Sequence, residues 1–237
     1  MSSSLRQRSL ALEVPAAIRA RRTIRHYRPD PVPSALLREL IELTLEAPSS
    51  WNLQDRFLVV VSDEDRRREL QRATDGQPQP GEAPVTIVFV ADSQIWKRNR
   101  DDIWELARAS GAWSPEFIGF FAGASTQFQE DLERRGLLRE YAIKDAMIAA
   151  SFLLLAAQSY GLATSPMNGW NEDKVKQVIG IADRDDLHIA VLVSLGFAAE
   201  VREHPGRRPL GVQVFGERYG EPLPDAASSG RRSASGE

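Results

Sequence analysis

Residues 141–170 read YAIKDAMIAASFLLLAAQSYGLATSPMNGW, and this stretch decides the fold. From 146 to 157 every residue but Ser151 is apolar, and the run holds neither proline nor glycine. Such a run predicts a helix buried on most of its circumference, with Gly161 as its C-cap. Its 12 residues fall short of the roughly 20 needed to cross a hydrocarbon core, so a central core helix is expected. Residues 164–170 that follow are polar and turn-prone, and they read as a link between two helices. Turned backbone there can offer N–H and C=O groups to a ligand; a plain helix–helix connection is the alternative.

Strands are expected on both sides of this helix, at 57–61 (FLVVV), 84–91 (PVTIVFVA) and 188–195 (HIAVLVSL). The near-continuous apolar pattern of 84–91 suits a sheet covered on both faces. Helices are expected at 14–22, with Pro15 in the first turn, at 35–45 behind an N-capping Ser34, and at 65–73. The alternation gives an α+β (mixed α/β) class, with helices wrapped around a central mixed β-sheet. No glycine fingerprint of a dinucleotide fold and no phosphate-loop lysine motif occurs.

The 237 residues carry 42% hydrophobic side chains, enough for one sizeable soluble core. A flexible arm is expected at 1–12, a single domain at 13–220, and a disordered tail at 221–237, where apolar residues are sparse. The 30 basic and 33 acidic residues leave a net charge of -3, which gives no case for nucleic acid or an anionic membrane. No cysteine is present, so disulfides, thiolate catalysis and thiolate-held clusters are excluded. The three histidines, His26, His188 and His204, lie too far apart for a His-x-x-x-His pair, and no metal centre is expected. Residues 2–12 lack the apolar centre of a signal peptide, which makes the cytoplasm the expected location.

Two turns carry candidate chemistry. Arg21, Arg22, Arg25 and Arg28 with Thr23 can hold a phosphate through planar donor forks and a compact hydroxyl. The alternative is a solvated basic turn whose Ile24 and Tyr27 plug the core. Residues 47–54, with Ser49, Ser50, Asn52 and Gln54, can bond a polar heterocycle without a fixed charge, or form an ordinary capped turn. Between 92 and 139 the chain is charged yet rich in rings, as an insertion forming a lid or a partner-facing helix pair would be. Trp113, Phe117, Phe120 and Phe121, around Pro115 and Gly119, are the candidates for a substrate pocket. Asp145, Glu172 and His188 are single ionisable groups, read as caps or surface charges and not as acids or bases.

The segments RRTIRHY (21–27), APSSWNLQ (47–54), YGLATSPMNGW (160–170) and GRRPL (206–210) occur in an order that resembles the FMN-dependent nitroreductase family. The resemblance spans 13–215. It implies that Arg21, Arg22, Thr23 and Arg25 grip the FMN phosphate and ribityl chain. It places Ser49, Ser50, Asn52 and Gln54 on a second side of the flavin. Pro166, Met167, Asn168 and Gly169 would follow the ring edge, and Arg207 with Arg208 would return to the phosphate. It further implies a homodimer with FMN at the interface. NAD(P)H would be the donor, and the acceptor an aromatic such as a nitroaromatic, quinone or flavin, in a ping-pong reaction carried by FMN itself with no catalytic side chain. A non-enzymatic FMN-binding module and a flavin-consuming or dehalogenating branch are the alternatives. The chain departs from well-known members at Asn168, where a glutamate is common, at 76–79, and at Pro205, where a lysine often stands.

Overall fold

The computed structural model describes residues 12–224. The expected arm, apart from Leu12, and the expected tail beyond Pro224 lie outside the described residues. The chain divides into a first unit, Met1–Arg202, and a second, Glu203–Glu237.

In the first unit the order is α1 (Val14–Ala20), α2 (Ser34–Leu45), β1 (Arg56–Val61), α3 (Glu64–Ala73), α4 (Gln79–Glu82) and β2 (Val85–Asp92). Then come α5 (Asp101–Ala109), α6 (Pro115–Arg134), α7 (Leu138–Ser159), β3 (Ala163–Met167), α8 (Glu172–Val178) and β4 (Leu187–Gly196). Local chemistry explains most boundaries. Asp63 caps α3 by accepting the Arg66 N–H at 3.0 Å, and Ser114 caps α6 through the Phe117 N–H at 3.2 Å. Ser34 is the first helical residue of α2, and the cap position falls to Pro33.

The strands form one four-stranded sheet in the order β1-β2-β4-β3, and every neighbouring pair is antiparallel. This corrects the expectation of a mixed sheet. Val61 pairs with Thr86, so β2 starts beside the end of β1 and must run back along it. The expected helix–helix link at 164–170 is also corrected, because its first residues form the edge strand β3. Pro166 is tolerated there because an edge strand can spare one N–H.

The sheet is covered on both faces. Ile87 and Phe89 pack with Ala146, Ala149 and Leu153 of α7, while Val88 and Val90 pack with Leu70 of α3 and Val175 of α8. Alternate residues of β2 thus serve opposite layers. All eight are buried. Truncating Leu153, with none of its surface exposed, to alanine would cost about 2–5 kcal/mol.

The decisive helix is longer than its apolar run. With 22 residues and a mean hydropathy of 1.3 in its best window, α7 is long and apolar enough to cross a membrane by length and composition. It packs instead on α2 and the sheet as the core helix. Most of the apolar run is buried or half-buried, as expected, but Ile148 is 39% and Phe152 40% exposed on the remaining face. Gly161 stops the helix with φ +77°, and the Leu162 N–H returns to the Ala157 carbonyl at 2.9 Å.

The second unit contains a four-residue helix, α9 (Leu210–Gln213). Pro209 sets its entry at φ -55°, and the Val214 N–H closes on the Leu210 carbonyl at 2.9 Å. Phe215 bridges to Pro222 and stacks 4.7 Å from Tyr219.

Candidate functional site

The basic turn leaves α1 and docks against β3. Thr23 forms a parallel bridge with Thr164, and the Ile24 N–H donates to the Thr164 carbonyl at 3.2 Å. Ile24 and Tyr27 are buried, as the core-plug reading expects, while Arg25 stays exposed. Arg22 donates to the carbonyls of Arg19 at 2.7 Å and Arg21 at 2.9 Å, so its Nη1 is committed to the frayed end of α1. Arg21 lies 3.5 Å from the Thr23 hydroxyl.

Two glutamates that sequence reasoning missed hold this turn. Glu200 accepts the N–H of Arg25 at 2.7 Å and of His26 at 3.2 Å. Its bonds to Arg202 and to those amides hold its carboxyl down at about 2. Glu82 accepts the Tyr27 N–H at 3.3 Å and lies 3.1 Å from His26 Nδ1. Nothing in the local sequence singles out either glutamate, because their partners lie far along the chain.

Beside the basic turn, the hydroxyls of Thr164 and Ser165 are buried without a partner among the described residues. Met167 points into the core, so only its backbone is available to a ligand, while Asn168 and Gly169 are exposed. Gln77 Nε2 donates to the Gly169 carbonyl at 3.0 Å and would sit 3.1 Å from a Cβ at that position. A glycine there admits this clasp, which ties the 75–79 loop to the end of β3.

The serine–asparagine turn stands elsewhere. Trp51, Asn52 and Gln54 adopt φ of 53°, 47° and 50°, left-handed values that non-glycine residues rarely take. Asp145 of α7 accepts the Ser50 N–H at 2.8 Å, and Ser49 Oγ accepts the Gln54 N–H at 3.0 Å. Asp55 is buried against Asp145, and burial with that neighbouring carboxylate pushes its pKa up to about 8. Asp145 is raised too, mainly by burial, against the opposing pull of the Ser50 amide and Arg56. Arg56 in turn donates to the Leu45 carbonyl at 2.9 Å and to Ala47.

The two turns lie at opposite ends of the sheet. The basic turn meets Thr164, which pairs with Leu195, whereas Arg56 pairs with Ala91, itself opposite His188. Seven residues of β4 separate these rows, about 24 Å of strand. One chain therefore does not bring together all the residues expected at the site.

Among the pocket candidates, Trp113 lies 5.4 Å from Phe117 and 4.7 Å from Phe121, ring centre to ring centre. Phe121 continues to Trp51 at 5.0 Å, so the rings of α6 lean on the strained turn. Phe120 stands apart, 70% exposed. Arg207 and Arg208 belong to the second unit, where both are exposed and Arg207 Nη1 donates to the Gly206 carbonyl at 2.7 Å. Glu172 accepts the Ile189 N–H at 3.0 Å and Arg139 at 2.9 Å, and His188 Nε2 meets Ser93 Oγ at 2.9 Å. Both are half-buried and Asp145 is buried, which corrects the expectation of surface charges.

An antiparallel sheet between helical layers, with an arginine turn on its edge strand, defines an α+β protein with a candidate anion-binding turn. The nitroreductase family model matches residues 18–197, and the chain belongs to that family. The "NADH dehydrogenase" of Thermus thermophilus is 34% identical over 199 residues, 84% of this chain and 93% of that protein. Two solved structures share the fold. One, from Exiguobacterium sibiricum and assigned as a nitroreductase in complex with FMN, has a TM-score of 0.77 at 22% identity, covering 84% of this chain and 95% of that one. The other, a nitroreductase family protein of Streptococcus pneumoniae, has a TM-score of 0.71 at 24% identity, covering 85% and 98%.

Proposed function

We propose that this chain is an FMN-dependent oxidoreductase, taking reducing equivalents from NAD(P)H and passing them to an aromatic acceptor such as a nitroaromatic, quinone or flavin. The observation that carries the reading is the basic turn docked on β3 beside two orphaned hydroxyls, Thr164 and Ser165. The residues fit FMN. Arg21, Thr23 and Arg25 offer charge-assisted donors for a phosphate, and buried hydroxyls without partners suit a polar ligand. When bound, FMN supplies hydride transfer. The chain's own part is to orient and to exclude water. Glu200 and Glu82 fix the backbone of the phosphate turn, and Gln77 holds the Gly169 carbonyl. Asn168 presents a neutral amide where an anionic side chain is common. No acid or base from the protein is assigned, and both substrates use one opening in turn.

A two-fold homodimer completes this reading. The serine–asparagine turn, remote from the basic turn of its own chain, would meet the basic turn of a second copy. The exposed Ile148 and Phe152 support such a contact, as does an apolar groove of about 360 Å³ between Val14, Leu43 and Phe152. Residues 13–220 would act as one FMN-binding domain, with 92–139 as its ring-bearing insertion, in the cytoplasm where NAD(P)H is supplied. Purified protein should be yellow, release FMN and not FAD, and sediment at twice 26.4 kDa. Anaerobic mixing with NADH or NADPH should bleach the flavin rapidly. Colourless protein that takes up no FMN refutes the cofactor. Slow bleaching with both donors refutes the reductase and leaves a binding module.

A further inference from the structure

A second pocket, separate from the basic turn, adjoins the serine–asparagine turn. It measures about 350 Å³, and its walls include Gln54, Arg56, Asn99, Arg100, Asp102 and Ile103. Arg56 is 6% exposed and Arg100 8%, so two guanidiniums are withdrawn from water in one place. Nη2 of Arg56 serves the carbonyls at the end of α2, while its Nε and Nη1 are buried without an acceptor among the described residues. Arg100 donates to the hydroxyls of Ser125 at 2.8 Å and Thr126 at 3.4 Å, and lies 5.1 Å from the Trp104 ring centre. Those partners are neutral. Burial alone lowers the pKa of Arg100, and no carboxylate contributes to it.

A buried cation without a countercharge is expensive; Asp55 and Asp145 offset that cost in part at Arg56, whereas no carboxylate does so at Arg100. Asp55 stands next to Arg56 but is pushed up to about 8, so it is mostly protonated at neutral pH. Asp145, which also accepts the Ser50 N–H, acts on Arg56 and leaves Arg100 uncompensated. Asp102 lines the pocket from an exposed position, where water screens it. We propose that this pocket binds a small oxyanion, a phosphate or carboxylate group, between the guanidiniums of Arg56 and Arg100. Planar donor forks match both groups, and the volume suits a small anion or short organic acid and not a dinucleotide. The site is distinct from the flavin phosphate turn of the same chain, which lies at the other end of the sheet, and shares only Gln54 with the proposed second side of the flavin.

Calorimetric titration of the purified protein with inorganic phosphate and with acetate, at fixed ionic strength and pH 7, tests it. One saturable site with a Kd of about 1 mM or tighter is expected. A response to phosphate alone assigns the site to that group; a response to both extends it to carboxylates. Arg100→Gln should weaken binding at least about tenfold through loss of charge-assisted bonds. Arg21→Ala should leave it unchanged, which separates this site from the flavin phosphate turn. Asp102→Asn, an exposed change that does not disturb the core, should tighten binding about two- to fivefold by removing a like charge from the rim. The absence of saturable heat from either anion overturns the proposal. So does binding that survives Arg100→Gln intact or disappears in Arg21→Ala. If Arg100→Gln does not fold, unchanged affinity in Asp102→Asn overturns it.

Discussion

Replacing Asp55 with asparagine should stabilise the protein, and by more as the pH rises. In the fold, burial and Asp145 shift the Asp55 pKa from its ordinary 3.8 to about 8. Below pH 3.8 the carboxyl is protonated in both folded and unfolded chains, and the shift costs no stability. From there to about pH 8 the unfolded chain releases a proton that the folded chain keeps. Stability then falls by about 1.4 kcal/mol per pH unit, reaching a loss of about 4 kcal/mol at pH 7. Above pH 8 the site is ionised in both states and the loss is complete. Asparagine cannot ionise, but its buried amide would be imperfectly bonded at a cost of about 1–3 kcal/mol. The net gain at pH 7 should therefore be about 1–3 kcal/mol. Urea unfolding of both proteins from about pH 5 to pH 8, at matched protein and FMN concentrations, measures it. The advantage of the variant should grow with pH across that range. A difference that stays constant, or a variant less stable throughout, would refute the argument.

Arg21→Ala should weaken FMN binding by about 1.5–3 kcal/mol, roughly 10–150-fold, in a flavin fluorescence titration; unchanged affinity would dispose of the phosphate grip. Phe121→Ala removes the ring that joins Trp51 to Trp113 and should lower Tm, whereas exposed Phe120→Ala should leave Tm within experimental error. If Phe117→Ala, at the edge of the ring cluster, leaves kcat/KM unchanged over a panel of quinones and nitroaromatics, Phe117 does not line the acceptor pocket. Gly196→Ala would place a Cβ 2.5 Å from Pro84 Cδ and 3.1 Å from Tyr27 Cδ1. That overpacking should cost about 1–3 kcal/mol in urea unfolding, and a neutral result would mean that Pro84 yields freely.

The core helix and three of the four strands were legible because periodicity reports burial directly. β3 was hidden by its own composition. A five-residue edge strand carrying Thr164, Ser165 and Pro166 looks like a loop, since its pairing with β4 involves residues far along the chain. The full length of α7 was masked by Arg139, Glu140 and Lys144, whose charges interrupt the apolar run while leaving the helix intact. The arginine and serine–asparagine turns stood out through residue type. That one chain holds them at opposite ends of a sheet is a matter of topology, and no local pattern carries it. The roles of Glu200, Glu82 and Gln77 depend likewise on contacts across long sequence separations. Arg56 and Arg100 look like surface charges until the fold buries them.

The left-handed backbone at Trp51, Asn52 and Gln54 makes the serine–asparagine turn a place where folding and ligand recognition pull against each other. Glycine at Asn52 would relax the backbone, yet it would delete the amide that the turn has to present. Each strained residue carries a penalty on the order of 1 kcal/mol, and the surrounding contacts offset it. Asp145 grips the turn at Ser50, and Phe121 with Phe128 braces Trp51. The turn is thus cocked by its neighbours, and its shape is borrowed from α6 and α7. Screens for thermostable variants should accordingly enrich glycine at Asn52 and Gln54, at the expense of ligand binding, but not at Trp51, whose ring contacts outweigh the strain.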